Sequence, residues 1–377
     1  MRGVRRLLRS ILAFLGAGIL LLLMTAQFAP GWRPAPKEPT LNPQPRGLPA
    51  SSPLLDVEQQ AIDMPSVAGG RAWVLTPILP AAAAPVPGVV LVHGAGRGDR
   101  NSLLAEARAL ASSGVAAIVY DKGVQGYSVF SRDYRRLADD AIRAANVLAD
   151  QDGVDPDQIG IMGWSEGGWV APTAVQRAPD RFAFMAVASA PVVSPLAQAA
   201  WAADRPIAVA PQWIRRIPAT VLAAGGGLID YLDYDPGPAL KSVQVPVYAV
   251  WGAEDKTVPV NVAVRTLLEH VEPPVIVRLL PETGHELPVQ ASEWLTEAAQ
   301  WTTGMTGVAG GGDQISGTEP GSVVGLSQLP ASAWFTSPQV HVLTALALAI
   351  AVLFLPLRRA HAATPFTQGA PSCPHPI

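Results

Sequence analysis

An apolar stretch at residues 159–162 runs directly into the sequence Gly163-Trp164-Ser165-Glu166-Gly167. This pattern is typical of a buried strand that turns sharply into a helix and carries a serine at the tip of the turn. Glycine on both sides suits such a turn, because the backbone is strained and neighbouring elements approach it closely. The positive end of the following helix would face the serine and favour developing negative charge.

The meaning of this pentapeptide depends on partners for Ser165, because a glycine- and serine-containing turn also arises by chance. A serine hydroxyl needs a general base within hydrogen-bond reach, and the base needs an acid that orients it. Asp255 and His285 each follow an apolar run that reads as a strand, and they occur in the chain order serine, acid, histidine. They are the candidate acid and base, and His93 is the other histidine to consider. The alternative acids are Glu254, which is one residue early, and Asp230, Asp233 and Asp235, which lie in a later insertion and are expected to be solvated.

The tetrahedral intermediate of acyl transfer carries a negative oxygen that needs preorganised N–H donors. One predicted donor is the backbone N–H of Glu166, the residue after the serine. The second is expected in the glycine-rich loop that begins at His93, with the N–H of Ala95 favoured and that of Gly94 as the alternative. A phosphate-binding interpretation of this loop is poor, because the loop lacks a Lys-Ser/Thr ending.

Apolar runs alternate with helical patterns across residues 54–303, which predicts one domain with a doubly wound, mostly parallel α/β sheet. In such sheets ligands bind at the carboxyl ends of the strands. The predicted strands lie at residues 71–79, 88–93, 115–120, 159–162, 182–188, 245–251 and 275–280. The predicted helices lie at residues 102–111, 133–149, 167–176 and 288–301.

Residues 194–240 interrupt this alternation and are interpreted as a lid insertion over the site, with a disordered loop as the alternative. Trp201 and Trp213 lie in this insertion. Together with Trp164 of the serine turn they are candidate substrate-binding residues, although tryptophans in a lid more often only pack it.

Several segments resemble the α/β-hydrolase superfamily, most closely bacterial esterases related to dienelactone hydrolases and the catalytic domain of prolyl-oligopeptidase-like enzymes. These segments appear in the family order at residues 91–100, 120–123, 155–160, 163–168, 251–255 and 284–285. The resemblance implies an α/β-hydrolase fold and a triad of Ser165, Asp255 and His285 that cleaves carboxylic esters through an acyl-enzyme, without a metal or organic cofactor. The family usually has an arginine in the loop after Asp121, and here Lys122 and Gly123 follow instead.

Two other functions are compatible with these residues. The first is a peptidase acting on short peptides or acyl-peptides. Enzymes of the prolyl-oligopeptidase type usually carry an N-terminal propeller, and none is expected in the short stretch before the first predicted strand. The second is a membrane-tethered binding protein that keeps the fold without turnover, against which the complete triad argues.

Two apolar segments flank the predicted domain. Residues 1–29 carry four arginines before an uncharged apolar run, as a signal anchor or a signal peptide does. Residues 340–357 are apolar and just long enough to span a bilayer, with a buried core helix as the alternative. Arg358 and Arg359 follow them. Because basic flanks stay in the cytoplasm, we expect a cell-membrane protein whose catalytic domain is extracytoplasmic.

The remaining segments are linkers and a tail. Residues 30–53 are rich in proline and residues 304–339 in glycine and serine, which predicts two linkers, the second flexible. The tail, 358–377, holds Cys373, the one cysteine of the chain, so neither an internal disulfide nor a cysteine nucleophile is available. A net charge of −3 gives no broad basic face for nucleic acid. The expected partners are a small-molecule ester and the membrane lipid around the terminal helices.

Overall fold

The computed structural model describes residues 11–12, 15–18, 20, 32–45, 54–64, 70–225, 229–289, 293–304, 313–322, 324–328, 344 and 347. Among these residues no helix is both long and apolar enough to cross a membrane. The two predicted membrane segments, residues 1–29 and 340–357, fall mostly outside the described residues. The tail with Cys373 falls wholly outside them.

Nine strands of the described residues form one sheet in the order β1-β2-β4-β3-β5-β6-β7-β8-β9. The strands are β1 (Val57–Asp63), β2 (Arg71–Pro77), β3 (Val86–Val92), β4 (Ala116–Tyr120), β5 (Val154–Trp164), β6 (Phe184–Ala188), β7 (Val247–Gly252), β8 (Val275–Leu280) and β9 (Gln314–Gly317). Only β1 and β2, and β2 and β4, pair antiparallel, and every other neighbouring pair is parallel. The predicted mostly parallel α/β sheet is therefore confirmed.

Helices cover both faces of this sheet. They are α1 (Leu104–Ser112), α2 (Tyr134–Ala149), α3 (Gly167–Arg177), α4 (Pro195–Asp204), α5 (Gln212–Gly225), α6 (Gly237–Lys241), α7 (Val260–His270) and α8 (Glu293–Gly304). Apolar residues of α2, α3, α6 and α7 form one core layer with the sheet, and those of α1 and α8 form the other. Burial on both faces explains the nearly continuous apolar runs of the parallel strands.

The predicted strands and helices of the domain correspond to observed ones, but β1, β9 and α7 are not among the predicted elements. β1 is an edge strand whose residues are mostly polar and half-exposed, so its apolar signal is weak. β9 lies inside the segment predicted as a flexible linker, yet it pairs with β8 in parallel register. A buried contact holds it there, because the guanidinium of Arg278 on β8 meets the hydroxyl of Ser316 at 3.2 Å.

The described part of the predicted Pro-rich linker, residues 32–45, also packs on the domain. Arg33 and Gln328 pair as an antiparallel bridge with N–H to O distances of 3.2 and 3.0 Å. The backbone N–H groups of Leu41 and Asn42 each donate to the carboxylate of Glu319 at 2.8 Å. The two chain-end segments, residues 32–45 and the described part of residues 313–328, therefore run together along the domain.

The insertion after β6 folds as helices α4, α5 and α6. A bidentate ion pair between Asp204 and Arg215, at 2.9 and 2.6 Å, joins α4 to α5. The insertion also contacts a chain-end segment, because the indole N–H of Trp201 donates to the carbonyl of Val324 at 3.1 Å. The predicted lid region is thus helical, and a hydrogen bond ties it to the chain-end segment at Val324.

Candidate active site

The turn between β5 and α3 holds Ser165 in a strained backbone conformation. Its φ is 49°, in the left-handed region that non-glycine residues rarely adopt. Its N–H donates to the carbonyl of Ala188 at 2.8 Å, which helps to fix the turn. A Cβ at Gly163 would lie 2.2 Å from the carbonyl oxygen of Gly167, and a Cβ at Gly167 would lie 2.6 Å from that of Val92. Only glycine therefore fits on either side of this turn.

Ser165, His285 and Asp255 form a hydrogen-bonded chain. Nε2 of His285 lies 3.0 Å from Oγ of Ser165, and Nδ1 lies 2.8 Å from Oδ2 of Asp255. The other carboxylate oxygen of Asp255 accepts the N–H groups of Thr257 at 2.7 Å and Val258 at 3.1 Å. Because this carboxylate is buried and fully held, it orients the imidazole with Nδ1–H toward itself and leaves the Nε2 lone pair for the serine.

The loops that carry the acid and the histidine touch each other. A Cβ at Gly252 would meet the carbonyl oxygen of Gly284 at 2.2 Å, so the close approach requires glycine. The N–H of Glu254 donates to the carbonyl of Thr283 at 2.8 Å, while the residue as a whole is exposed. The structure therefore brings Asp255, and not the alternative acid Glu254, to His285.

Ser189 is a further residue that positions the histidine, and the sequence analysis missed it. It is fully buried, with a φ of 48°. Its hydroxyl donates to the carbonyl of His285 at 2.8 Å, and its N–H donates to the carbonyl of Val250 at 2.8 Å. A lone serine after a buried strand gives no sequence signal for this role.

His93 holds the loop after β3. Its Nε2–H donates to the carbonyl of Tyr120 at 2.5 Å, and burial lowers the pKa of its imidazole. A Cβ at Gly98 would lie 2.8 Å from the His93 ring, so the glycine loop wraps closely over it. His93 is therefore a structural member of this loop and not the base that faces Ser165.

A cavity of about 720 Å³ opens above the serine and the histidine. Both predicted sources of the second N–H donor, Ala95 and Gly94, line it, and so does Glu166. The insertion supplies one wall through Pro195, Gln198, Ala199, Tyr231 and Leu232. The predicted site residues of the serine turn and the glycine loop thus share one cavity with the lid.

Of the three candidate substrate-binding tryptophans, one lies at the cavity and two do not. Trp164 lines the cavity and packs against Trp294 with ring centroids 5.8 Å apart. Trp201 and Trp213 do not line it, which corrects the prediction for both. Trp201 is buried against the chain-end segment at Val324, whereas Trp213 is 51% exposed on the outside of the lid.

The side chain of Glu166 is the centre of a buried polar cluster that the sequence analysis did not predict. Its carboxylate lies 2.6 Å from the ammonium of Lys122 and 2.7 Å from the guanidinium of Arg132. It also accepts the phenol of Tyr127 at 2.7 Å. Burial lowers the pKa of Lys122 although Glu166 opposes that change, and burial raises the pKa of Tyr127 to about 12.

The same cluster also hydrogen-bonds to the glycine-rich loop after β3. Lys122 donates to the carbonyl of Gly94 at 2.8 Å, and the Tyr127 hydroxyl accepts the N–H of Gly96 at 2.9 Å. Lys122 lies in the loop after Asp121, where the family usually has an arginine. Its ammonium hydrogen-bonds to Gly94 and Glu166 and so ties this loop to the glycine-rich loop and the serine turn. The sequence offered one signal for this cluster, which is that Glu166 lies in an otherwise apolar turn. A buried carboxylate needs a cationic partner.

Among the described residues, no cluster of histidine, cysteine, aspartate or glutamate side chains could hold a metal ion.

A model of the prolyl oligopeptidase family matches residues 127–308, a range that contains the serine, the acid and the histidine in family order. The chain is a serine hydrolase of the α/β-hydrolase superfamily. No curated protein matches this hydrolase.

Solved structures share the fold of the hydrolase at low sequence identity. A puromycin-hydrolyzing peptidase of Mycobacterium tuberculosis is 21% identical with a TM-score of 0.50, over 72% of this chain and 42% of that chain. A dienelactone hydrolase from Anabaena variabilis is 18% identical with a TM-score of 0.45, over 66% of this chain and 98% of that one. Dipeptidyl peptidase 4 of Porphyromonas gingivalis is 16% identical with a TM-score of 0.46, over 66% of this chain and 35% of that one. The hydrolase thus spans about a third of that peptidase.

Proposed function

We propose that this serine hydrolase cleaves carboxylic esters through an acyl-enzyme formed on Ser165. The observation that carries the proposal is the hydrogen-bonded chain from Ser165 through His285 to the buried Asp255, at 3.0 and 2.8 Å, facing the cavity. Such a chain activates a hydroxyl that is otherwise a poor nucleophile at neutral pH.

The proposed reaction runs in two halves. Oγ of Ser165 attacks the ester carbonyl while Nε2 of His285 takes the hydroxyl proton. The tetrahedral intermediate then collapses as His285 protonates the leaving alcohol. Water attacks the acyl-enzyme with His285 again as the base, which releases the acid and restores the serine.

The negative oxygen of the intermediate would accept hydrogen bonds from the backbone N–H groups of Glu166 and Ala95. The Glu166 cluster supports this assignment, because Lys122 ties its carboxylate to Gly94, the neighbour of Ala95. With two cations around one carboxylate, Lys122 and Arg132 also leave one positive charge in excess near the developing oxyanion. A preorganised positive environment of this kind stabilises the transition state.

Peptide hydrolysis is the second candidate function, because the matching family model is that of a peptidase family. A direct comparison uses N-acetyl-alanine methyl ester and N-acetyl-alanyl-alanine, which share the acyl group and differ in the scissile bond. Ester hydrolysis predicts turnover of the methyl ester and no measurable turnover of the dipeptide. Comparable kcat values for both substrates would instead assign a peptidase. Ser165→Ala controls for background hydrolysis in each assay.

We further propose that the hydrolase is tethered to the cell membrane at both ends, with its catalytic domain outside the cytoplasm. Two observations support this topology: the basic residues beside each predicted apolar segment, and the pairing of Arg33 with Gln328. Because that bridge holds the two chain-end segments together, both predicted spans would leave the domain from one place. The partners in this proposal are a small-molecule ester in the cavity and lipid around the terminal helices.

A further inference from the structure

Glu106 is a buried carboxylate in the wall of the catalytic cavity that the proposed reaction does not use. It lies in the first turn of α1, is 8% exposed, and lines the same cavity as Ser165. Within the described residues no other side chain forms a hydrogen bond or an ion pair with it. Its own backbone N–H is the one group that hydrogen-bonds to it.

The surroundings of Glu106 make an unpaired charge unfavourable. Leu103 and Leu287 line the same cavity, and burial raises the pKa of the Glu106 carboxyl, with the nearby Glu286 raising it further. Glu286 also lines the cavity. Glu286 is exposed, whereas Glu106 is buried, and a buried carboxylate is normally paired with a cation.

Two arginines, Arg97 and Arg132, line the cavity, and among the described residues neither forms an ion pair with Glu106. Glu106 belongs to α1, which packs on the sheet face shared with α8, whereas Arg132 directly precedes α2 on the opposite face. Ser165 lies at the end of β5, near the middle of the sheet, and both charged residues line its cavity. Arg132 is already paired with Glu166 at 2.7 Å and Arg97 is exposed, so within the described residues Glu106 keeps a carboxylate without a cationic partner in the cavity of the serine.

We propose that Glu106, with Glu286 beside it, forms an anionic subsite that binds a positively charged ammonium group of the substrate. This inference rests on the proposed function, because the substrate must also present a carbonyl to Ser165. An ammonium group would supply the charge-assisted hydrogen bond that Glu106 lacks within the described chain. The substrate class is therefore amine-bearing esters, in which the cation lies a few bonds from the scissile carbonyl.

Matched substrate pairs test the subsite. Alanine p-nitrophenyl ester and isobutyric p-nitrophenyl ester differ by an ammonium in place of a methyl on the acyl side. 2-Aminoethyl acetate and propyl acetate differ by the same replacement of a methyl by an ammonium on the alcohol side. We expect the wild type to prefer the charged member of at least one pair, by about tenfold or more in kcat/KM, and Glu106→Gln to remove that preference.

The matched control is Glu282→Gln, a change at an exposed glutamate of the histidine loop that does not line the cavity. It should keep the wild-type preference. The subsite is wrong when the wild type prefers neither charged substrate, or when Glu106→Gln keeps the full preference. Failure of the wild type to hydrolyse the neutral esters would contradict the ester hydrolase proposal instead.

Binding without turnover gives an independent test. In Ser165→Ala, calorimetry should show tighter binding of alaninamide than of isobutyramide, and adding Glu106→Gln should abolish the difference. Equal binding of the two amides would overturn the subsite whether or not esters are hydrolysed.

The stability of Glu106→Gln distinguishes the proposed subsite from a merely structural role of Glu106. Its carboxyl pKa is raised in the folded state, so ionisation disfavours folding, and this penalty is present above the folded pKa and disappears as pH falls through it. Glu106→Gln should therefore be at least as stable as the wild type at neutral pH, with the gap closing in acid. A clear loss of stability in Glu106→Gln would show that the carboxylate holds the fold, and would count against the subsite.

Discussion

The ammonium of Lys122 lies 2.6 Å from a carboxylate oxygen of Glu166, the residue that directly follows Ser165. Both side chains are almost fully buried, at 4% and 1% exposed. Since Lys122 also bonds the carbonyl of Gly94, this pair joins the serine turn to the glycine loop. The two proposed donors to the oxyanion, on Glu166 and Ala95, are thereby fixed relative to each other.

Glu166→Gln should weaken both the fold and the reaction, because it leaves Lys122 and Arg132 without their shared counter-charge. Breaking a buried pair typically costs about 3–5 kcal/mol of unfolding free energy, measurable by urea denaturation. We expect kcat to fall more than KM changes, since a misplaced oxyanion donor acts in the transition state. The exposed pair of Asp139 and Arg177 is the control, and Asp139→Asn should cost no more than about 1 kcal/mol. Equal stability of the two variants would contradict the role given to the cluster.

Asp255→Asn should abolish most activity while the protein stays folded. The asparagine cannot hold the imidazole in the required tautomer, and loss of the acid in such triads lowers kcat by about 10⁴-fold. Glu254→Gln is the matched control, because Glu254 is adjacent in sequence but exposed. It should retain wild-type kcat within about twofold. Activity that follows Glu254 and not Asp255, measured on one ester, would reassign the acid.

Much of the site could be predicted because its parts follow local patterns along the chain. A strand, a glycine pair and a serine identify the turn, and the acid and histidine each follow an apolar run. Gly94 and Ala95 could be placed at the cavity because their glycine-rich loop directly follows a strand of the parallel sheet. These features depend on a few neighbouring residues, so sequence alone carries them.

The features that could not be predicted depend on residues distant in sequence. The contact between Lys122 and Glu166 joins residues 44 positions apart. The bond from Trp201 to Val324 spans 123 positions and takes that tryptophan away from the cavity. Strand β9 is held beside β8 by the hydrogen bond from the buried Arg278 to Ser316, which the local sequence does not reveal. In each case a tertiary contact decides the position. The sequence had predicted a pocket role for Trp201 and a flexible linker for β9, and it had predicted nothing for the Lys122–Glu166 contact.

The proposed topology predicts which cysteines react from outside the cell. In a Cys373→Ser background, Leu54→Cys places a thiol at an exposed residue of the catalytic domain, 68% exposed. A membrane-impermeant maleimide should label it in intact cells. The native Cys373 of the wild type is the control, and it should react only after the membrane is opened. Protection of Leu54→Cys in intact cells would place the domain in the cytoplasm.

The central claim is that Ser165 is a nucleophile activated by His285. The most direct measurement is covalent labelling by a fluorophosphonate, followed by mass spectrometry of the modified peptide. The wild type should gain one adduct at Ser165, Ser165→Ala should gain none, and His285→Ala should react far more slowly. Labelling of Ser165→Ala at the wild-type rate, or no labelling of the folded wild type, would contradict the account.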